Sequence, residues 1–145
     1  MALYSPENFH ATPPAGFDGQ FHWDYLNGAF GNTIRPMDLD GLVERNGYFL
    51  VFETKDVGKN VDTGQQITLE RLVETGRFEV VLIWGKREVV FMQTWTPQQP
   101  APRCPTCRRR LGRYEVGKGE IVAASNDDVY AYAADWFRRV NERPR

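Results

Sequence analysis

Two carboxylates and an amine, Asp40, Glu53 and Lys55, stand where a short hairpin would bring them together. The pair Asn46-Gly47 separates two apolar runs. A two-residue type I′ turn needs positive φ at both positions, which Asn and Gly supply at least cost. With Asn46 and Gly47 as the loop, Arg45 faces Tyr48, Glu44 faces Phe49, Leu42 faces Val51 and Asp40 faces Glu53. One further step sets Asp38 opposite Lys55. Strand side chains alternate faces, so Asp38, Asp40, Glu53 and Lys55 share one face. Directly opposed carboxylates destabilise a sheet by about 0.2–1 kcal/mol, and a divalent cation between them reverses the sign. Hard oxygen ligands suit Mg²⁺ or Mn²⁺, which polarise a phosphodiester and lower the pKa of a bound water. Lys55 would hold the attacking water or stabilise charge on the phosphate. On this reading Asp40 and Glu53 are metal ligands, and Asp38 is either a further ligand or only a neighbour. The plainer alternative is a solvated strand end with a surface Asp38–Lys55 ion pair of little energetic weight.

These residues need elements to position them. Gly41 to Glu44 and Tyr48 to Lys55 read as the two hairpin strands. The nearly unbroken apolar run from Tyr48 to Phe52 marks the second as buried on both faces, with Glu53 and Lys55 emerging at its end. Gln65 to Thr75 has helical spacing, with Ile67, Leu69, Leu72 and Val73 expected on one side and Gly76 as the stop. Phe78 to Trp84 and Glu88 to Trp95 are two more expected strands, turned at Gly85-Lys86-Arg87. Ser125 or Asn126 caps a final helix, with Asp127 and Asp128 in its first turn and a buried stripe of Val129, Tyr132, Ala133, Trp136, Phe137 and Val140. The aromatic stretch from Phe17 to Phe30 fits neither period cleanly. The order of elements implies an α/β or mixed α+β fold, a central mixed sheet flanked by helices. A single domain over 1–145 is expected. Within it, 17–95 forms the core, 96–124 a Pro/Cys/Arg-rich insertion or loop, and 125–145 the C-terminal helix.

The stretch Pro36-Met37-Asp38-Leu39-Asp40-Gly41, followed by Tyr48-Phe49-Leu50-Val51-Phe52-Glu53-Thr54-Lys55, resembles the PD-(D/E)XK nuclease superfamily. That group includes restriction endonucleases, Holliday junction resolvases and phage recombination exonucleases. The resemblance aligns the family's aspartate with Asp40 and its Glu-X-Lys with Glu53-Thr54-Lys55. It implies a restriction-endonuclease-like core of a helix, three strands, a second helix and another strand. Several branches carry a glutamine at the start of the second helix near the metal; Gln65 fits best, with Gln66 next to it. An acidic residue on the family's first helix often helps to hold metal, and Asp24 or, less well, Asp18 could answer to it. The function implied is a Mg²⁺- or Mn²⁺-dependent deoxyribonuclease. Its alternative is a catalytically silent nuclease fold that binds nucleic acid or a protein partner.

Cys104 and Cys107 have the spacing of half a Zn²⁺ site. His10 and His22, or a second copy of the chain in a homodimer, could supply the other ligands. A redox pair or a turn with two reduced thiols are the other readings. Arg108, Arg109, Arg110 and Arg113 form a basic run suited to phosphates. Trp95, Trp136 and the Tyr130–Tyr132 pair could stack bases, although Trp136 is better placed in the core. The formal net charge of −1 gives no general attraction to DNA, so a local basic surface would have to hold it. Hydrophobic residues at 41% and charged residues at 26% indicate an ordered globular chain. Met1 to His10 lacks the basic start and apolar run of a signal peptide, and Val80 to Trp84, the longest strongly apolar run, cannot span a bilayer. A soluble cytoplasmic protein with no membrane partner is expected. Its small size and short basic appendage suit a phage, prophage or mobile-element nuclease.

Overall fold

The structure, a computed structural model, describes residues 23–31, 33–98, 103–108 and 112–143. The chain divides into two compact units, Met1–Pro36 and Met37–Arg145, a boundary that falls inside the 17–95 span. In the first unit the described residues form a short 3₁₀ turn, Asp24–Leu26, followed by an isolated bridge between Gly28 and Gly31. The second unit carries a six-stranded mixed sheet with one helix on each face.

The hairpin forms as its turn residues dictate. Strand β1 (Gly41–Arg45) pairs antiparallel with β2 (Tyr48–Lys55), Arg45 opposite Tyr48 and Leu42 opposite Val51. Asn46 and Gly47 have φ of 54° and 75°, the left-handed pair that a type I′ turn requires. The ladder closes at Gly41 opposite Phe52. Asp38 and Asp40 therefore precede the paired strand rather than standing within it.

Helix α1 (Thr63–Glu74) carries the chain from β2 to β3 (Phe78–Gly85), which runs parallel to β2. Gly76, at φ 77°, ends the helical stretch, and its missing Cβ leaves room for the Tyr114 ring. Strand β4 (Val89–Gln98) returns antiparallel after a bulge at Gly85, where a side chain would meet the Glu88 carbonyl. Strands β5 (Glu115–Lys118) and β6 (Val122–Ala123) both pair with β4 along its outer side, at successive positions. Both lie in the stretch expected to be insertion or loop. They are four and two residues long and carry no apolar alternation; pairing with the β4 backbone holds both, and Val116 of β5 also packs against the α1-side core. Helix α2 (Asn126–Asn141) starts at a reciprocal capping box between Ser125 and Asp128.

Side-chain alternation divides the interior into two layers. Val51, Val80, Leu82, Trp84 and Trp95 face α1 through Leu69 and Val73. Leu50, Val81 and Met92 face α2 through Trp136 and Val140. Two expected core residues are exposed. Ile67 is 52% exposed, because it lies two residues from Leu69, about 200° around the helix. Phe137 is 48% exposed and instead receives the Arg45 guanidinium, 5.6 Å from its ring centroid. Buried Trp95 presents no face for base stacking, whereas Tyr130 is exposed. Among the described residues, no helix is long and apolar enough to cross a membrane.

Candidate active site

The buried polar side chains among the described residues are Glu53 and Glu79, 3% and 6% exposed. They sit on opposite faces of the sheet and are treated differently. Glu79, on the α2 face, is fully paired. Arg139 donates Nη1 to Oε1 at 2.8 Å and Nη2 to Oε2 at 3.0 Å, and the Tyr132 hydroxyl donates to Oε2 at 2.6 Å. This bidentate arrangement is the form in which a buried carboxylate becomes tolerable. Burial, then the bond to Glu79, pushes the Tyr132 hydroxyl above the usual tyrosine range.

Glu53, on the α1 face, is paired through one oxygen only. Gln65 Nε2, from the first turn of α1, donates to Oε1 at 2.5 Å, and Lys55 Nζ lies 3.0 Å from the same oxygen. Glu53 Oε2 and Gln65 Oε1 are buried with no hydrogen-bond partner. An unpaired, buried carboxylate oxygen costs several kilocalories per mole in order of magnitude, far more than a neutral group does. Trp95 Nε1 is likewise buried without a partner, but it is a neutral donor with the smaller penalty. Two unpartnered acceptor oxygens on adjoining side chains are what a hard cation satisfies.

Asp40 reaches the same strand end by a different contact from the one expected. Its Oδ2 accepts from the Thr54 amide at 2.7 Å and from the Thr54 hydroxyl at 2.5 Å. Asp40 therefore caps the strand end at Thr54, the residue between Glu53 and Lys55 in sequence, rather than opposing Glu53 in the ladder. The ion pair of Lys55 is with Glu53, at 3.0 Å, where the plainer alternative set it opposite Asp38. Asp38 is exposed and lies outside the ladder. Of the two glutamines, Gln65 turns to Glu53, whereas Gln66 Nε2 donates along the helix to Glu70 at 3.0 Å. Among the described residues no three His, Cys, Asp or Glu side chains cluster as a ready metal site. The unpartnered oxygens at this strand end are one of Glu53 and one of Gln65, while Asp40 is engaged by Thr54.

Lys55 also lines an open depression of about 450 Å³ with Thr54, Asp56, Lys59, Gly85 and Lys86. Lys59 and Lys86 escaped the sequence reading. Each lies on the loop that follows one of the two parallel strands, and ligands in open α/β sheets gather at such carboxyl ends. A parallel reading of β2 and β3 would have pointed to them. The Lys59 loop is pinned by Trp84 Nε1 donating to the Lys59 carbonyl at 2.8 Å, and the Gly85 bulge turns the chain to present Lys86.

The basic run fares differently. Arg113 pairs with Glu74 at 3.0 Å, beside Arg71, at the far end of α1. Nine residues separate Gln65 from Glu74, about 14 Å of helix, so the expected phosphate contact at Arg113 is removed from Glu53. Arg108 is exposed on the turn after Cys107. Arg109, Arg110, Asp18, His10 and His22 lie outside the described residues. Asp24 belongs to the first unit, where it opens the 3₁₀ turn. Comparison with known protein families, curated proteins and solved structures finds no match.

Proposed function

We propose that this chain is a cytoplasmic, metal-dependent phosphodiester hydrolase acting on DNA, with a site of the PD-(D/E)XK nuclease type on a restriction-endonuclease-like core. The observation that carries the reading is Glu53: a buried carboxylate with one unpaired oxygen, beside the unpaired amide oxygen of Gln65. The fully paired Glu79 on the other face is the contrast that gives it weight.

Glu53, the Gln65 amide oxygen and Asp40 are the residues that would hold Mg²⁺ or Mn²⁺. When bound, such an ion supplies Lewis-acid polarisation of a phosphodiester and a more acidic water. Gln65 fixes the rotamer of Glu53 through its amide N–H. The Thr54 contacts use Asp40 Oδ2 alone and anchor that carboxylate at the strand end. Lys55 sits between Glu53 and the open depression, where its ammonium can orient a water or meet a phosphate oxygen. Lys59 and Lys86 extend the positive surface outward from it.

A second reading, a nuclease-like module that binds nucleic acid or a protein partner without cleavage, is favoured by two contacts. Lys55 closes on Glu53 as an ion pair, and Thr54 occupies Asp40. The test is incubation of the purified chain with Mg²⁺ or Mn²⁺ and linear, circular, single-stranded and branched DNAs, beside Glu53→Ala and Lys55→Ala. Metal-dependent cleavage lost in both variants supports the hydrolase. Equal DNA binding by all three proteins without cleavage of any DNA selects the binding module.

A further inference from the structure

Two groups of arginines in the second unit contrast. Arg71, Arg113, Arg138 and Arg139 each pair with a carboxylate. Arg45, Arg77 and Arg143 lie over aromatic rings instead. The guanidinium carbons of Arg77 and Arg143 each stand 4.6 Å from the Tyr48 ring centroid, and that of Arg45 stands 5.6 Å from Phe137. A ring attracts the cation without accepting its N–H groups as a carboxylate does, so those donors stay available.

The sheet register sets the three side by side. Arg45 ends β1 directly opposite Tyr48, and directly opposed residues share a face. Arg77 stands just before β3, its carbonyl accepting from the Phe49 amide at 2.8 Å. Arg143 follows α2, whose end is tied to the hairpin. Asn46 Nδ2 donates to the Val140 carbonyl at 3.3 Å, and Arg45 Nε donates to Asn141 Oδ1 at 2.6 Å. The acidic groups nearest in sequence are turned elsewhere. Glu44 Oε1 accepts from the Gly47 amide at 2.7 Å, Glu142 takes Arg138 through both oxygens, and Glu79 takes Arg139 and Tyr132. The end of α2 contributes only about half a negative charge, against three permanent positive ones.

We infer that Arg45, Arg77 and Arg143 form a second nucleic-acid contact, which takes the backbone phosphates of a strand irrespective of its bases. Guanidinium forks match phosphate oxygens. A strand carries a charge about every 3.4 Å, a density that suits cations gathered around two neighbouring rings. The Tyr48 ring already carries two guanidiniums, so charge rather than base stacking is recognised. Tyr48 packs on the α2-side core, whereas Glu53 faces α1 five steps further along β2, about 17 Å away. The contact therefore holds a stretch of nucleic acid other than the phosphodiester at Glu53. It extends the proposed action on DNA and needs no cleavage there.

The test is fluorescence anisotropy of labelled single-stranded and duplex oligonucleotides with the full chain, in a chelator, over a salt series. Arg77→Gln/Arg143→Gln is compared with Arg71→Gln/Arg113→Gln, which removes the same charge from arginines that share Glu74. The first variant is expected to lower the slope of log affinity against log salt by about two, whatever the sequence. The second is expected to leave it unchanged. Arg45→Gln, a milder change at an exposed position, is expected to lower it by about one. Equal slopes in wild type and Arg77→Gln/Arg143→Gln, or equal losses in the two double variants, overturn the inference. So does a wild type that binds neither oligonucleotide at low salt, or one that binds a labelled polyglutamate as tightly as DNA. Without metal no cleavage takes place, so the result is separate from the fate of the hydrolase reading.

Discussion

Gln65 and Glu53, twelve residues apart in the chain, meet at 2.5 Å across the junction of α1 and the sheet. The amide is the one neutral donor to a buried carboxylate whose other oxygen has no partner. Gln65→Ala is therefore expected to destabilise the metal-free protein by about 1–3 kcal/mol, the cost of leaving a buried acceptor short of a donor. Gln66→Ala removes only a bond to Glu70 along the helix and should cost less than about 0.5 kcal/mol. Urea unfolding of the two variants checks this; equal midpoints would contradict it.

Phosphate binding is expected at Lys59 and Lys86 rather than at Arg113. Both lysines line the depression next to Lys55, whereas Arg113 is held by Glu74 at the other end of α1. Lys59→Ala and Lys86→Ala should each weaken DNA binding irrespective of sequence. Each should also reduce the slope of log affinity against log salt by about one. Arg113→Ala should leave that slope unchanged. Fluorescence anisotropy over a salt series reads all three.

The Glu79 network should dominate the docking of α2. Glu79→Ala strands a part-buried guanidinium and a part-buried hydroxyl at once, an expected loss of about 3–5 kcal/mol. Asp135→Ala breaks exposed, solvent-screened pairs to Arg138 and Arg139 and should cost far less. Denaturant midpoints that rank the two variants the other way round would reject this division.

Tyr132 gives the fold an alkaline limit. Burial, then the hydrogen bond to Glu79, raises its hydroxyl pKa in the folded state. A group raised on folding contributes its full stability below the unfolded pKa and loses it as pH climbs toward the folded value. The contribution is therefore complete below about pH 10 and declines above it. Tyr132→Phe should show a shallower fall of the urea midpoint between about pH 10 and 11 than wild type. Parallel falls would show that another group sets the limit.

Much of this was legible because local rules acted alone. Asn46-Gly47 fixed the hairpin register, and Ser125 with Asp128 marked the start of α2. Gln65 could be preferred to Gln66 on the resemblance, and its side chain does turn to Glu53. Periodicity gives the face of a strand but not where its ladder ends, which is why Asp40 was expected opposite Glu53 and instead caps Thr54. Lys59 and Lys86 become neighbours only once β2 and β3 are known to be parallel. The partners of Glu79 lie 53 and 60 residues away, a separation no local pattern spans. Strands β5 and β6 have too few residues to carry a period and exist because β4 offers a free edge.

The most direct test of the central claim is calorimetric titration of Mn²⁺ into the wild-type chain, Gln65→Ala and Glu53→Gln. The account predicts a saturable site in the wild type, about 10–100-fold weaker binding in Gln65→Ala, and no such site in Glu53→Gln. Mn²⁺ binding by Glu53→Gln equal to that of the wild type, or no binding by the wild type, would contradict it.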